Sequence, residues 1–438
     1  MDLIEKIRTA GVVGAGGAGF PTHVKINCKA EYAIANGAEC EPLLRVDQQV
    51  MAKYAKEVVE GLHAVMVHTK AKKGVVCLKS HYHDAVGALQ KEIGGAEDIS
   101  LLLMKSYYPA GDEQQIVYEV TGKVVPTGGL PLDVGAVVMN VSTLINVARA
   151  VNDMPVTDKY ITVTGEVERP STFNVPIGTP VSVLIKAAGG PEDRENYTLI
   201  LGGPCMGPLS DNWDTPVTKT TGGVIVIKKS HPLIAKKQPN SPADIKLVRA
   251  ACCQCSFCSQ LCPRNSLGLN VQPHKAMRAA ANANGELLGG FNGIFSCCDC
   301  GLCTYYACNF GLKPSAMMSS MKKGLMQQGI RPQKEVYSEA DRGFENKKVP
   351  VSRLISRLGV NRYDVPAPIA ESPQIKKVEI PLKMHIGIPA GSMVKTGDFV
   401  TKGQMIAMIN ENNLGANIHA SISGTVSKVT DKAIEIQA

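Results

Sequence analysis

The residues best suited to chemistry are the cysteines of the stretch ACCQCSFCSQLCPRN, residues 251–265. Together with the proline that follows them, four of these cysteines form the pattern C-x2-C-x2-C-x3-C-P: Cys252, Cys255, Cys258 and Cys262. This spacing is typical of [4Fe–4S] binding. A short loop wraps three thiolates around one face of the iron–sulfur cube, and the fourth cysteine is carried past the proline to another iron. The stretch therefore predicts an iron–sulfur centre.

A second copy of the pattern follows in CCDCGLCTYYACN, where the last gap is four residues long and Asn309 takes the place of the proline. Where two such runs share a chain, the fourth cysteine of each run ligates the cluster of the other. We therefore predict two [4Fe–4S] clusters. The ligands of one are Cys252, Cys255, Cys258 and Cys308, and those of the other are Cys297, Cys300, Cys303 and Cys262.

Zinc is the alternative occupant, since it also binds C-x2-C pairs. A zinc ion needs four ligands and gains nothing from a third closely spaced cysteine, so iron–sulfur is favoured. Cys253 and Cys298 fall outside the spacing and are predicted to pack beside the clusters. The isolated cysteines are predicted to be buried, unreactive thiols: Cys28, Cys40, Cys77 and Cys205.

Clusters pass single electrons and need a source of them, which directs attention to GVVGAGGAGFPTHVK, residues 11–25. It follows a short stretch whose Leu3, Ile4 and Ile7 share one helical face. Its glycines would let backbone N–H groups approach a phosphate, and Lys25 would add charge; they are Gly14, Gly16, Gly17 and Gly19. Taken alone, the loop also fits a tight structural turn, because it matches neither G-x-G-x-x-G nor a Walker loop.

Two further segments help to decide whether this loop binds a phosphate or is only a structural turn. They are EYAIANGAECEP (31–42) and the stretch from YYPAGDEQQ through NVST to residue 151. With the Gly-rich loop they resemble the FMN- and NADH-binding domain shared by the 51-kDa subunit of respiratory complex I and the RnfC component of the Rnf electron-transport complex. The resemblance covers roughly the first 150 residues. It implies that the Gly14–Gly19 loop and Lys25 hold the FMN phosphate. The further implied contacts are Asn36 and Glu39 facing the flavin, Asn140 and Thr143 at its phosphate or ribityl side, and Glu113 near flavin and nicotinamide.

This chain departs from the pattern of that family in features that bear on whether NADH binds as well as FMN. The 51-kDa protein of complex I has an acid two residues after the asparagine that matches Asn36, whereas here that position is Ala38. The aromatic residues that stack NADH there have no evident counterpart either. The resemblance therefore implies FMN more directly than NADH.

The rest of the chain supplies the elements that would position these centres. VTGEVERPSTFNVPIGTPVSVLIKAAGG resembles the SLBB domain, a β-grasp module that would act as a rigid spacer, with strands near 160–167 and 222–229 and a helix near 180–190. From Val378 the chain resembles the barrel-sandwich hybrid fold of lipoyl and biotinyl domains. No lysine occurs from Gly403 to Val426, so no carrier arm is predicted, and His419 is interpreted as structural rather than as a ligand.

These segments predict a multidomain α/β and α+β protein. The predicted parts are a flavin domain at 1–155, an SLBB β-grasp domain at 156–235, a helical two-cluster ferredoxin-like domain at 240–326, a linker with some helix at 327–377 and a barrel-sandwich hybrid at 378–438.

Composition narrows the class of protein. The 438 residues are 44% hydrophobic and 20% charged, with no signal-peptide pattern at the start and no apolar run of transmembrane length. Fourteen cysteines in such a chain favour metal or redox chemistry over disulfides, and we expect a cytoplasmic protein. The net charge of +8 is scattered and not interleaved with aromatic residues, which argues against nucleic acid as a partner.

The domain order completes the interpretation, because RnfC carries its hybrid domain first and this chain carries it last. The order resembles that of the cobalamin reductases of propanediol-utilising bacterial microcompartments. The resemblance implies electron transfer from NADH through FMN and two [4Fe–4S] clusters to a corrinoid, with no catalytic side chain. It also implies shell proteins or an adenosyltransferase as partners and a location in a microcompartment. Two alternatives are an electron conduit that reoxidises NADH toward another acceptor and a scaffold with structural clusters.

Overall fold

The computed structural model describes residues 2–335, 339–410 and 412–438. The N-terminal part alternates strands and helices, as apolar strand runs separated by amphipathic stretches require. Its strands are β1 (Tyr32–Gly37), β2 (Lys73–Lys79), β3 (Ile99–Met104), β4 (Tyr107–Tyr108) and β5 (Ala136–Asn140). Its helices are α1 (Leu3–Thr9), α2 (Thr22–Lys25), α3 (Val46–Lys53), α4 (Ala55–Thr69), α5 (His83–Ile93), α6 (Glu113–Thr121) and α7 (Val141–Val151), with a 3-10 turn at Pro131–Val134.

Four of these strands form a parallel sheet in the order β3-β2-β1-β5. Helices cover the sheet, which explains why its strands are nearly continuous apolar runs. Helices α4 and α7 pack closely on one another, and a side chain at Gly61 would meet the carbonyl of Leu144 at 2.1 Å. Glycine is therefore required at that contact.

The second part is a mixed five-stranded sheet in the order β7-β6-β10-β8-β9. Its elements are β6 (Asp158–Gly165), β7 (Ser171–Pro176), α8 (Val181–Ala187), β8 (Tyr197–Leu201), β9 (Leu209–Ser210), β10 (Gly223–Lys228) and α9 (Pro232–Lys237). The two predicted strands and the predicted helix are confirmed. The helix ends where Gly189 adopts a φ of 73°, which a β-carbon would strain.

The third part is helical and carries both cysteine runs. Its helices are α10 (Pro242–Ala251), α11 (Phe257–Gln260), α12 (Pro263–Ser266), α13 (Pro273–Asn282), α14 (Asn292–Phe295) and α15 (Pro314–Gln327), with a 3-10 turn at Gly285–Leu288 and a π-helical turn at Cys303–Ala307. A capping box of Ser241 and Asp244 starts α10 directly before the first run.

The segment predicted as a linker contains packed structure. It holds 3-10 turns at Phe344–Lys347 and Asn361–Tyr363, β11 (Val349–Pro350) and α16 (Val351–Leu358). Strand β11 pairs with β4, and the leucine face of α16 is buried with Tyr108 and Tyr305. The expectation of some helix is confirmed by α16, but the segment is packed rather than free, because its apolar positions contact distant parts of the chain.

The C-terminal part forms two small sheets, β12-β18-β17-β14 and β13-β15-β16. Its strands are β12 (Lys377–Pro381), β13 (Gly391–Ser392), β14 (Phe399–Val400), β15 (Met405–Met408), β16 (Ile418–His419), β17 (Gly424–Val429) and β18 (Ala433–Gln437). Its core is continuous with that of the N-terminal sheet. His419 is buried against Thr9, and burial lowers the pKa of its imidazole to about 3, consistent with the predicted structural role.

A buried lysine joins three of these parts. The ammonium of Lys219 donates to the carbonyls of Gly11 at 2.6 Å and Asn417 at 2.8 Å. Burial lowers the pKa of Lys219 to about 7. The N-terminal sheet, the β-grasp part and the C-terminal sheets are therefore held in one arrangement by polar contacts as well as by the apolar core.

Candidate functional site

The carboxyl edge of the parallel sheet brings together the residues predicted to bind a flavin. Asn36 lies near the end of β1 and Asn140 ends β5, and the two residues are paired in register. Strand β5 lies on the opposite side of β1 from β2, so this position is the topological switch point at which open α/β sheets bind ligands. The Gly-rich loop reaches the same point, because the N–H of Ala15 donates to the hydroxyl of Thr143 at 2.9 Å.

The backbone of this loop fits a phosphate. Residues 16–18 are exposed, and their N–H groups have no acceptor within the described parts of the chain. A β-carbon at Gly17 would meet nothing within 4 Å, whereas one at Gly16 would lie 2.7 Å from the Asn140 amide. The loop thus presents free amide donors beside open space, which is how backbone nests receive a phosphate.

The other two predicted glycines have structural tasks. The N–H of Gly14 donates to the carbonyl of Phe20 and closes the loop. Gly19 has a φ of 72° and packs against the carbonyl of Met384 in the C-terminal part. Of the four glycines, Gly16 and Gly17 lie at the open face of the loop.

Lys25 and Glu113 contact each other. Their side chains form an ion pair with Nζ and Oε1 2.6 Å apart, at the start of α6. The Asn36 amide donates to the carbonyl of Gly111 at 3.0 Å and so ties this corner to β1. Lys25 is predicted to lie at the phosphate, and in this structure its ammonium forms an ion pair with Glu113.

Glu39 occupies a strained and buried position directly after β1. Its φ is 35°, uncommon for a residue with a β-carbon, and such strain is concentrated at functional sites. Its carboxylate accepts from the N–H groups of Asp47 and Gln48 at the start of α3. Burial, and then the neighbouring Asp47, raise the pKa of Glu39 to about 7. A carboxyl poised near neutrality beside a predicted cofactor site is a functional candidate.

Two residues of this site escaped sequence reasoning. Asp47 accepts from the Asn140 amide at 2.9 Å, and Lys159 donates to the carbonyl of Ala15 at 2.8 Å. Burial raises the pKa of Asp47 and lowers that of Lys159 to about 8. Asp47 could have been found as an acid opening a helix after the Glu39 motif. Lys159 gave no local signal, because it belongs to the next part of the chain.

A cleft of about 610 Å³ opens beside Glu39. Its walls are the loop after β1, the end of β2 and the segment from α16 to Pro368. Lys79 and His81 line it, and burial lowers the pKa of both. None of the loop glycines lines this cleft, so it is separate from the phosphate cradle.

The structure groups the cysteines as the crossed assignment requires. Cys252, Cys255, Cys258 and Cys308 line one recess, which we call the first cysteine group. Burial raises the pKa of the Cys258 thiol to about 12, and the charge of Cys308 acts in the same direction. The last cysteine of the second run therefore joins the first three of the first run.

Cys297, Cys300, Cys303 and Cys262 form the second cysteine group. Burial raises the pKa of Cys303 and of Cys297, and Cys262 contributes to both shifts. Burial also raises the pKa of Cys262 to about 12. Binding to iron would replace the protons that this burial holds on the thiols.

The two runs share one backbone shape. Gln254 and Ser256 have φ of 56° and 60°, and Asp299 and Gly301, at the same positions of the second run, have φ of 56° and 73°. The backbone therefore turns in the same way at corresponding positions of the two runs. In the described ranges no three His, Cys, Asp or Glu side chains converge as closely as a single metal ion would need.

The remaining cysteines differ in burial. Cys298 packs with the buried cluster around Tyr108, as predicted, and Cys253, although exposed, lines the same recess as the first cysteine group. Cys77 and Cys205 are buried as expected; Cys28 and Cys40 are only partly so. Burial raises the pKa of each of these four thiols, which makes them poor nucleophiles.

The second cysteine group is joined to the N-terminal part by buried polar contacts. The hydroxyl of Tyr108 lies 2.7 Å from the carbonyl of Cys300, to which it donates, and 3.1 Å from the carboxylate of Glu41. Arg264 donates to both carboxylate oxygens of Asp112 at 2.6 and 2.8 Å. At the first group, by contrast, Cys255 is exposed.

Comparison with known families defines the class of protein. Residues 7–149 match the family described as Nuo51 FMN-binding domain, 160–209 the SLBB domain, 251–313 the 4Fe-4S dicluster domain, and 361–438 the RnfC barrel sandwich hybrid domain. The chain is thus a flavin and iron–sulfur electron-transfer protein with the predicted fold class. The hybrid match begins at residue 361, upstream of Val378 and inside the predicted linker.

The relatives define the family more narrowly. The chain is 40% identical over 437 residues to Cobalamin reductase PduS of Salmonella typhimurium, covering 99% of this chain and 96% of that protein. It is 38% identical to Cobalamin reductase PduS of Citrobacter freundii over 434 residues, 99% of this chain and 95% of that protein. The chain belongs to the cobalamin reductase PduS family.

More distant similarities cover less of the chain. The C component of the Na(+)-translocating ferredoxin:NAD(+) oxidoreductase complex of Acetobacterium woodii is 36% identical over 277 residues, 62% of this chain and 60% of that protein. An NAD+-reducing [NiFe]-hydrogenase in the air-oxidized state aligns with a TM-score of 0.48 at 20% identity, over 85% of this chain and 67% of that chain. Within the described ranges, no helix has the length and apolar character to span a membrane.

Proposed function

We propose that this chain is an NADH-dependent reductase that passes electrons through FMN and two [4Fe–4S] clusters to a corrinoid. The observation that carries the proposal is the serial arrangement of the sites. The phosphate cradle lies at the carboxyl edge of the sheet, the second cysteine group adjoins the same domain through Tyr108, and the first group reaches the surface at Cys255. The full-length relationship to proteins named cobalamin reductase supports the corrinoid as acceptor.

The chain's own residues would hold the flavin in defined roles. The N–H groups of residues 16–18 would bind its phosphate. Thr143 would hold the loop in place, because its hydroxyl accepts from the N–H of Ala15. Asn36 and Asn140 would flank the flavin, and Asn140 is held in place by Asp47. FMN, when bound, supplies the conversion of a two-electron hydride donor into single-electron transfers.

No side chain is proposed as a nucleophile or as an obligatory acid or base. Glu39 would hold a proton on its carboxyl near neutral pH and so limit the negative charge beside the flavin. The Lys25–Glu113 pair would keep Glu113 from adding a further unpaired charge. The chain's contribution is then to orient the nucleotide, exclude water and fix the distances between the sites.

Each cysteine group would hold one cluster, with Cys262 and Cys308 exchanged between the runs. The second cluster would receive electrons from the flavin, since its Cys300 loop is the one fixed to the flavin domain. The domain boundaries predicted from the sequence belong to the same proposal, with 327–377 acting as a packed strap rather than a free spacer. The domain order alone supports two further parts of the proposal. One is that shell proteins or an adenosyltransferase are partners, and the other is that the protein is located within a microcompartment.

The test is an anaerobic titration of the reconstituted protein with NADH, followed by absorbance and EPR, and then by addition of cob(III)alamin. Bleaching of the flavin, cluster signals and stoichiometric loss of cob(III)alamin are expected. A Gly17→Val variant should lose FMN, because its side chain enters the cradle, while Gly87→Val, at an open helix position, should keep it. If the clusters stay oxidised with NADH yet are reduced by dithionite, NADH is not the electron donor. Electron loss only to other acceptors would favour the conduit.

A further inference from the structure

The first cysteine group is the end of the molecule at which electrons can leave. Cys255 is exposed, and the aromatic rings of Phe257 and Phe310 beside it are 37% and 52% exposed. By contrast Cys262 and Cys300 of the second group are buried. An acceptor that approaches from solvent therefore meets the first group.

A shallow, open recess of about 440 Å³ adjoins this group through the contact of Arg357 with Asn309. It is lined by Tyr306, Ser352, Arg353, Ser356 and Arg357. Tyr306 stands in the π-helical turn between Cys303 and Cys308, so the recess borders the chain that links the two groups. Arg357 donates to the side chain of Asn309, the residue after Cys308, at 3.0 Å.

The charge of the recess is positive and is not neutralised by carboxylates. Arg353 and Arg357 lie one helical turn apart on α16. Burial lowers the pKa of Lys236, and the charge of Arg357 lowers it further, which places that ammonium near the same recess. None of these three cations forms an ion pair with any carboxylate in the described part of the chain, unlike Lys313, which is paired with Asp244. Neighbouring guanidinium groups without carboxylate partners suit a phosphate.

We propose that this recess binds the phosphodiester of the corrinoid's nucleotide loop, which places the corrin ring over the first cysteine group. The inference rests on the proposed function for the identity of the substrate. The two exposed arginines and the nearby Lys236 offer positive charge to a phosphodiester, and the contact from Arg357 to Asn309 places that charge beside the first cysteine group. Cobalt(III) gains one electron and becomes cobalt(II), so one NADH reduces two corrinoids and yields NAD+ and one proton.

The test measures corrinoid binding to the FMN- and cluster-loaded protein by equilibrium dialysis, with cob(III)alamin and with cobinamide, which lacks the nucleotide loop. Arg353→Gln and Arg357→Gln should each weaken cob(III)alamin binding roughly tenfold, as loss of a charge-assisted hydrogen bond does. Cobinamide binding should not change. Arg342→Gln, an exposed arginine outside the recess, is the matched control, and unaltered EPR signals show that the clusters are intact.

Each of the other possible results would contradict one part of the proposal. If the wild type binds cob(III)alamin and both variants bind it equally well, the recess is not its site. Equal weakening of cobinamide and cob(III)alamin would remove the phosphate contact. Loss of electron transfer to an acidic redox protein with unchanged cob(III)alamin affinity would assign the recess to that partner. A wild type that binds no corrinoid would instead overturn the proposed function itself.

Discussion

The two cysteine groups have the same local backbone and opposite surroundings. Both runs use a pair of left-handed residues at matching positions, Gln254 and Ser256 in one and Asp299 and Gly301 in the other. Yet Cys300 lies under Tyr108 and the flavin domain, whereas Cys255 is open to solvent. One motif is thus used twice, and on the proposed electron path the domain packed over it decides whether it receives electrons from the flavin domain or delivers them to an external acceptor.

The comparison is tested most strongly by removing one ligand from each group. Cys300→Ser and Cys255→Ser should each cost about half of the bound iron, since one of two clusters is lost. With NADH, the Cys255 variant should still show a reduced second cluster, whereas the Cys300 variant should show reduced flavin and an oxidised first cluster. EPR after rapid mixing distinguishes them, and identical spectra for the two variants would contradict a serial path.

The ion pairs near the two groups should also differ in how much they stabilise the protein, and the more buried pair at the second group should contribute more. Arg264–Asp112 joins the second group to the flavin domain and is 12% and 9% exposed, whereas Lys313–Asp244 near the first group is 14% and 23% exposed with its closest atoms 3.2 Å apart. Arg264→Gln leaves Asp112 buried and unpaired, at a cost of about 3–5 kcal/mol. Lys313→Gln should cost about 1 kcal/mol or less.

The measurement for these ion pairs is the midpoint of thermal unfolding together with the rate of iron release. The double variant of Arg264→Gln and Asp112→Asn serves as the control, since it removes both buried charges and should recover part of the loss. Equal destabilisation at the two sites would show that the second group is no better fixed than the first.

A carboxyl group near the flavin cradle and one near the first cysteine group should change the stability of the protein with pH in opposite directions. The pKa of Glu39 is raised to about 7 by burial, so its contribution to stability is complete below about pH 4.5 and falls as the pH rises to about 7. The pKa of Asp244 is lowered by hydrogen bonds from Ser241, so its contribution is present above its usual pKa and is lost toward lower pH.

Unfolding followed from about pH 2 to 8 checks both signs, because the Asp244 contribution is lost only below the usual pKa of an aspartate. Glu39→Gln should flatten the fall between about pH 4.5 and 7, and Asp244→Asn should cost about 0.5–1 kcal/mol at neutral pH, as loss of a helix cap does. Glu113→Gln, on the partly exposed Lys25 pair, is the comparison for a carboxylate outside the buried site. A wild type whose stability rises with pH over the Glu39 window, with Glu39→Gln unchanged from it, would reverse the assignment.

Prediction from the sequence succeeded where chemistry is encoded by neighbouring residues. The cysteine spacing, the Gly-rich loop and the strands around residues 160 and 223 are local patterns, and the structure contains them. It failed where a residue acts across the chain. Lys159 contacts the Gly-rich loop from another domain, and α16 is buried by partners from three separate segments.

The cofactors that the chain holds could be predicted from its amino-acid sequence, because ligand type and spacing are properties of consecutive residues. The order of the domains could be predicted from it as well. The fold was needed to show which cysteine group is buried beside Tyr108, which carboxyl has a pKa raised to about 7 and where arginines without carboxylate partners lie at the surface. These depend on burial and on charges brought together from distant positions, and no local pattern of residues records them.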